Sequence, residues 1–150
     1  MTTSAPAATA ALTGLYAEVQ QFYARQAHRL DAVRAEEFAA TFAPDGEFEH
    51  SPDSPPARGR QAIAQEVRRF NERRFADDPV QRRHWFNMLD VRPQDDGSIH
   101  TEFYALVVIT RPGQAVPVIA PSCVVRDVLI REDGQLRTLK RKVTQDHLSF

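Results

Sequence analysis

Residues 124–146 read VVRDVLIREDGQLRTLKRKVTQD, two β-rich runs around the pair Asp133-Gly134. Asp and Gly both tolerate the positive φ that a tight antiparallel turn demands, so this stretch predicts a hairpin. The same punctuation recurs upstream as DDGS at 95–98 and RPGQ at 111–114, dividing the second half of the chain into runs at about 81–92, 98–110, 115–130 and 135–147. A four-stranded antiparallel meander is the expectation. Pro117 and Pro121 lie in the third run, where a missing N–H breaks the ladder, so its first half should be interrupted or exposed at an edge.

The first half of the chain has a different period. From Leu12 onward the residues Leu15, Tyr16, Val19, Phe22, Tyr23, Ala27 and Leu30 recur at intervals of mostly three and four, as on an amphipathic helix. Asp31 stands where the N-cap of a second helix belongs, ahead of Val33, Phe38 and Phe42, with Pro44-Asp45-Gly46 expected to stop it. GEFEHS at 46–51 alternates like a half-buried strand, Phe48 and His50 sharing one face. A proline-rich loop follows, and then Ile63, Val67 and Phe70 mark a third helix whose Arg68, Arg69, Arg73 and Arg74 face water. Three helices and then long, bending strands imply an α+β domain whose sheet wraps a helix. Such curvature predicts a pocket walled by Phe22, Phe38, Phe42, Phe48, Phe86, Phe103 and Tyr104.

Composition excludes several classes. The 150 residues suit one domain, expected over 12–150 behind a disordered arm at 1–11. A net charge of -1 offers no global field for nucleic acid or anionic lipid, so a small-molecule partner is expected, with neither nucleic acid nor membrane. The single Cys123 excludes an intramolecular disulfide and multi-cysteine zinc, and points to a cytoplasmic protein. No two histidines have metal-ligand spacing, so no metal and no other cofactor is expected.

Three segments carry a resemblance to a known family: FYARQAHRLDAVRAEEFAATFAPDGEFE, RRHWFN, and the hairpin 124–146 with Asp127, Arg141 and Asp146. In this order they resemble the SnoaL-like polyketide cyclase and dehydratase branch of the nuclear transport factor 2-like superfamily, which includes scytalone dehydratase and ketosteroid isomerase. The resemblance covers about Leu15 to His147. It implies a cone-shaped fold, with three N-terminal helices packed on a strongly curved mixed or antiparallel sheet that encloses a pocket. It also implies a small cofactor-independent enzyme of the lyase or isomerase type, and a homodimer. In scytalone dehydratase an aspartate at the junction of the first two helices orients a histidine on the early sheet; the matching positions are Asp31 and His84. The dehydratase's second histidine and paired tyrosines have no clean counterpart, Leu30 preceding Asp31 here.

Physical reasoning about residue types adds to this. His84 alternates with Trp85 and would share a strand face with Phe86 and Met88; on the concave side its imidazole would sit among apolar groups. Within reach of Asp31, it would be oriented and stabilised when protonated. His50 near the pocket mouth and Tyr104 are the candidates for protonating a leaving hydroxyl or binding an enolate oxygen, and Phe38, Phe42, Phe48, Trp85, Phe86, Met88 and Phe103 are the substrate-binding candidates. The expected chemistry is proton abstraction and donation on an aromatic or polyketide-like substrate, giving dehydration or aldol cyclisation. The competing expectation is a non-catalytic binding or assembly module like the small subunits of ring-hydroxylating dioxygenases. Asp127 and Arg141 are expected to pair across neighbouring strands, and Arg82 and Arg83 to belong to a solvated face.

Overall fold

Asp133 and Gly134 turn as their composition demands, with φ of 52° and 77°, and Glu132 pairs with Gln135 across them. The structure, a computed structural model, describes residues 5–150; residues 1–4 of the arm expected at 1–11 lie outside the described residues. Its helices are α1 (Ala5–Asp31), α2 (Ala35–Ala39) and α3 (Arg60–Phe75). The strands are β1 (Phe42–Glu49), β2 (Ala57–Arg58), β3 (Gln81–Pro93), β4 (Ile99–Thr110), β5 (Val118–Ile119), β6 (Cys123–Glu132) and β7 (Gln135–Gln145), followed by a 3-10 turn at Asp146–Leu148. Helix α1 begins seven residues before the expected Leu12.

The strands form one curved sheet in the order β2-β1-β7-β6-β4-β3, antiparallel throughout except where β1 runs parallel to β7. The third β-rich run splits at its prolines as expected: β5 pairs only with β4, and β6 starts after Pro121. Two apolar clusters fill the interior. Val19 and Tyr23 of α1 pack on Val91, Ile99, Phe103, Val125 and Leu129 of the sheet, while Phe38, Phe42, Phe48, Ile63 and Val67 join α2, β1 and α3.

Two local expectations are corrected. The second helix stops at Ala39, and Pro44-Asp45-Gly46 lies within β1, where the register to β7 shifts between Phe42 and Glu47. A side chain on Gly46 would meet the Ala43 carbonyl at 3.0 Å and the Thr138 carbonyl at 3.1 Å, so the bulge favours glycine and a larger residue would press on the backbone of both strands. Nor is Asp31 an N-cap. It is the last residue of α1, and the cap position of α2 is held by Arg34, which makes no side-chain cap bond.

What ends α1 is a Schellman motif. The Arg34 N–H donates to the Arg29 carbonyl at 2.9 Å and the Val33 N–H to the Leu30 carbonyl at 3.0 Å. The left-handed position of that motif normally belongs to glycine, yet Val33 occupies it at φ 54°. A β-branched residue there is strained by about 1–2 kcal/mol.

Helix α1 is seated by a buried polar network. The Arg141 guanidinium donates to both Asp127 oxygens at 2.9 and 2.7 Å and to the Gln26 carbonyl oxygen at 2.6 Å. The Tyr23 hydroxyl donates to Asp127 at 2.8 Å and lies 2.5 Å from the Thr101 hydroxyl, and the Gln26 amide donates to Thr41 and Thr138. The expected Asp127–Arg141 pair is therefore present, and it reaches the helix as well as crossing the sheet.

Val33→Gly is expected to raise stability by about 0.5–1 kcal/mol, since relief of strain exceeds the added unfolded-chain entropy; denaturant melts check it, and a loss of stability would contradict the strain. Asp127→Ala should cost on the order of 3–5 kcal/mol in the same melts, because it leaves Arg141 buried and uncompensated.

Candidate functional site

Strand β3 decides the site by its pleat. Arg82, His84 and Phe86 are half-buried on the inner face, while Arg83, Trp85 and Asn87 are exposed between them. The alternation breaks at a bulge between Asn87 and Asp90, where Met88 adopts φ 56°. Met88 is thereby turned out of the expected row and is 67% exposed, and Leu89 and Val91 face inward in its place.

The end of α1 lies over this row. The Asp31 carboxylate accepts from His84 Nδ1 at 2.5 Å and from the His84 backbone N–H at 3.3 Å. The side chains are nearly closed off from solvent, at 11% and 9% exposure for His84 and Asp31. With Nδ1 committed to the carboxylate, Nε2 is the ring nitrogen left for chemistry. Burial pushes the His84 pKa below the usual 6.5; the Asp31 hydrogen bond opposes this, and the positive charges of Arg82 and Arg141 add to it. Asp31 does favour the protonated ring, as expected, but the dry, cationic surroundings outweigh it, so the net shift is downward and the imidazole is mostly neutral at pH 7.

His84 and Asp31 line a groove of about 340 Å³ between α1 and β3, together with Gln20, Tyr23, His28, Trp85 and Phe86. A concavity of about 380 Å³ lies on the outer face of the sheet among Glu47, Arg92, Arg126 and Lys140. Several of its charges neutralise one another, Arg126 with Glu102 at 2.8 Å and Arg58 with Glu47 at 2.7 Å, so the groove beside the imidazole is the better candidate.

Other expected site residues fall elsewhere. Tyr104 is 57% exposed, on the face opposite Phe103 and Ala105, and cannot act beside His84. Phe38, Phe42 and Phe48 pack on one another at 5.3–5.8 Å between centroids, and Phe103 packs on Tyr23 and Phe86; these four are core. Trp85 and Phe86 remain at the groove. His50 pairs with Glu66 of α3 at 2.9 Å, stacked on Phe48 and edge-on to Phe70.

Sequence reasoning missed Arg82, whose guanidinium lies against Phe70 and Phe75 at 4.9 and 5.4 Å from the ring centroids. The signal was there: Arg82 has the same strand parity as His84 and Phe86. It also missed Gln26 and Thr138, polar residues in apolar surroundings whose partners are 112 and 115 positions away in sequence. Among the described residues no three His, Cys, Asp or Glu side chains gather as a metal-binding group, and no helix is long and apolar enough to cross a membrane.

The low pKa has a stability consequence. A histidine depressed on folding contributes stability above its unfolded value of 6.5 that is lost as pH falls through the folded pKa, because the unfolded chain takes up the proton first. NMR titration of the His84 ring should therefore give a midpoint below 6.5, with stability falling over the same acidic window. A midpoint above 6.5 would contradict the burial argument.

Comparison with known proteins gives the fold a family. A SnoaL-like domain model matches residues 13–142. A structure from Catenulispora acidiphila is 47% identical, with 93% of this chain and 96% of that one aligned and a TM-score of 0.85. ActVI-ORFA from Streptomyces coelicolor is 43% identical over 89% of this chain and 98% of its own, with a TM-score of 0.84. A Catenulispora acidiphila structure in complex with S-DNPA is 48% identical over 91% and 97%, with a TM-score of 0.82. No functionally curated protein matches the sequence. With a family match across most of the chain and relatives above 40% identity along nearly their full length, the chain belongs to the SnoaL-like family, in the polyketide cyclase and dehydratase branch of the NTF2-like superfamily.

Proposed function

We propose that the protein is a cofactor-independent enzyme of dehydratase or cyclase type, acting on an aromatic or polyketide-like ketone in secondary metabolism. The contact between Asp31 and His84 Nδ1 at 2.5 Å carries this reading, because it holds a neutral imidazole by one nitrogen beside a groove of small-molecule size. His84 Nε2 removes a proton from the carbon next to a carbonyl, and the electron pair passes into an enolate. The enolate either expels a β-hydroxyl, which leaves as water after taking a proton, or attacks a second carbonyl to close a ring. Asp31 stabilises the imidazolium that forms between the two steps. The imidazolium can return its proton to the departing hydroxyl; His50, paired with Glu66 outside the lining of the groove, is not needed as a second donor.

The likeness to a relative solved with S-DNPA supports a small organic ligand for the groove. The protein is read as a cytoplasmic homodimer. Its surface for self-association would be the outer part of the sheet, where Tyr104 and Leu106 of β4 are exposed and Leu106 pairs with the exposed Trp85 of β3.

With an aromatic β-hydroxy ketone as substrate, His84→Ala should lower kcat/KM by about 10²–10⁴-fold, measured as loss of substrate and gain of the conjugated product by absorbance. The acid limb of the wild-type pH profile should have its midpoint below 6.5. Turnover undiminished in His84→Ala would remove the dyad from the mechanism and favour the binding-module reading.

A further inference from the structure

Arg82 is the one inward-facing cation of β3, two residues before His84 on the same face. Its guanidinium lies over the rings of Phe70 and Phe75, so its plane is fixed by packing. Its Nε is buried and has no hydrogen-bond partner, and no side-chain hydrogen bond or ion pair joins Arg82 to another residue among the described residues. The Nε of Arg137 is likewise buried without a partner, but its other nitrogens donate to the Leu136 carbonyl and to Gln135, and the remaining inward arginines are paired. Arg141 has both Asp127 oxygens and Gln26, Arg60 has the Phe42 carbonyl and Glu132, and Arg111 has both oxygens of Asp78.

An arginine held rigid and mostly out of water without a protein acceptor is costly unless some other group supplies the acceptor. Asp31 could have done so, and its charge does raise the Arg82 pKa against the larger lowering from burial, but its oxygens are spent on the His84 ring and backbone. A guanidinium presents five N–H groups in a flat fork, which suits a planar carboxylate. The groove beside His84 is lined by the exposed Arg83 and not by Arg82, but on a strand a two-residue step puts Arg82 about 7 Å from His84 on the same inner face, within the span of one bicyclic aromatic compound.

We infer that Arg82 is a substrate-binding residue of the His84 site and takes the carboxylate of an aromatic or polyketide-type acid, orienting its reactive carbon toward the imidazole. This rests on the function proposed above for where the ligand sits. The substrate class is thereby narrowed from ketones in general to those that carry an acid group.

The test is equilibrium binding of 2-naphthoate and its uncharged analogue 2-naphthamide, by calorimetry at low salt, to the wild type and to Arg82→Met, Arg82→Lys and Arg126→Met. The wild type should bind the acid at least tenfold more tightly than the amide, and added NaCl should weaken the acid alone. Arg82→Met should lose this preference while still binding the amide. Arg82→Lys should keep part of it, because the charge survives and the fork does not. Arg126→Met removes an arginine of the outer face and should leave the preference intact. Melting curves of each variant establish that it is folded; if Arg82→Met does not fold, the lysine variant and the salt dependence of the wild type decide. Equal affinity for acid and amide, an undiminished preference in the folded Arg82 variants, an equal loss in Arg126→Met, or no binding of either compound would overturn the inference. Because the measurement involves no turnover, the dyad can fail its own test while the acid preference survives, and the reverse.

Discussion

Arg141 is a full charge with 4% of its side chain exposed, and much of the interior exists to keep it there. Isolated, such a group would cost several kcal/mol; here a bidentate carboxylate, an amide oxygen and the faces of four aromatic rings replace its water. The partners come from every part of the fold that must be aligned. Asp127 and Thr101 belong to the middle of the sheet, Thr138 to β7, Thr41 to the approach to β1, and Tyr23 and Gln26 to α1. Hydrogen bonds are directional where apolar packing is not. The network therefore sets the rotation and depth of α1 on the sheet, which the Val19 and Tyr23 contacts alone would leave loose.

That alignment matters at the far end of the same helix. Asp31 lies little more than one turn beyond Gln26, so the seating of α1 also places its carboxylate against β3. The helix must also stop at once. A Schellman turn with a strained valine does this, sending the chain away into α2 and leaving Asp31 at the corner with both oxygens turned to His84. Strain beside a polar contact of this kind is typical of a site in which geometry is held at the expense of stability.

The inner row of β3 then combines two groups with opposed needs. His84 is kept neutral by burial and by the positive charges of Arg82 and Arg141, yet carries a carboxylate that would steady it once protonated. Each proton gained would meet both influences. This leaves the ring able to accept a proton and to release it again, the behaviour that proton abstraction followed by loss of water demands. Most of the phenylalanines expected to wall a large cavity pack instead on one another, and the concavity beside the dyad is narrower and lies toward the helix and the edge strand.

The sequence by itself determined what local chemistry can determine. The hairpins follow from Asp-Gly and Pro-Gly pairs, the split third run from two prolines, and the helices from apolar spacing, so the α+β class and the three-helix, curved-sheet plan were legible. Asp31 and His84 were legible as candidates through the family resemblance, and strand alternation grouped His84 with Phe86 without saying which face is inside. Tertiary structure alone decided the rest. A bulge of one residue reversed Met88, because register is a property of two strands and not of one. Tyr104 went outward because the pleat of β4 is set by what its neighbours bury. Arg82 became an interior cation only because α3 laid Phe70 and Phe75 against it, and the pKa of His84 fell because charges from β3 and β7 converge on a ring that the chain writes far from one of them. Periodicity reports which residues share a face, but which face is dry, and which distant charge lies behind it, is fixed by packing between segments that share no local signal.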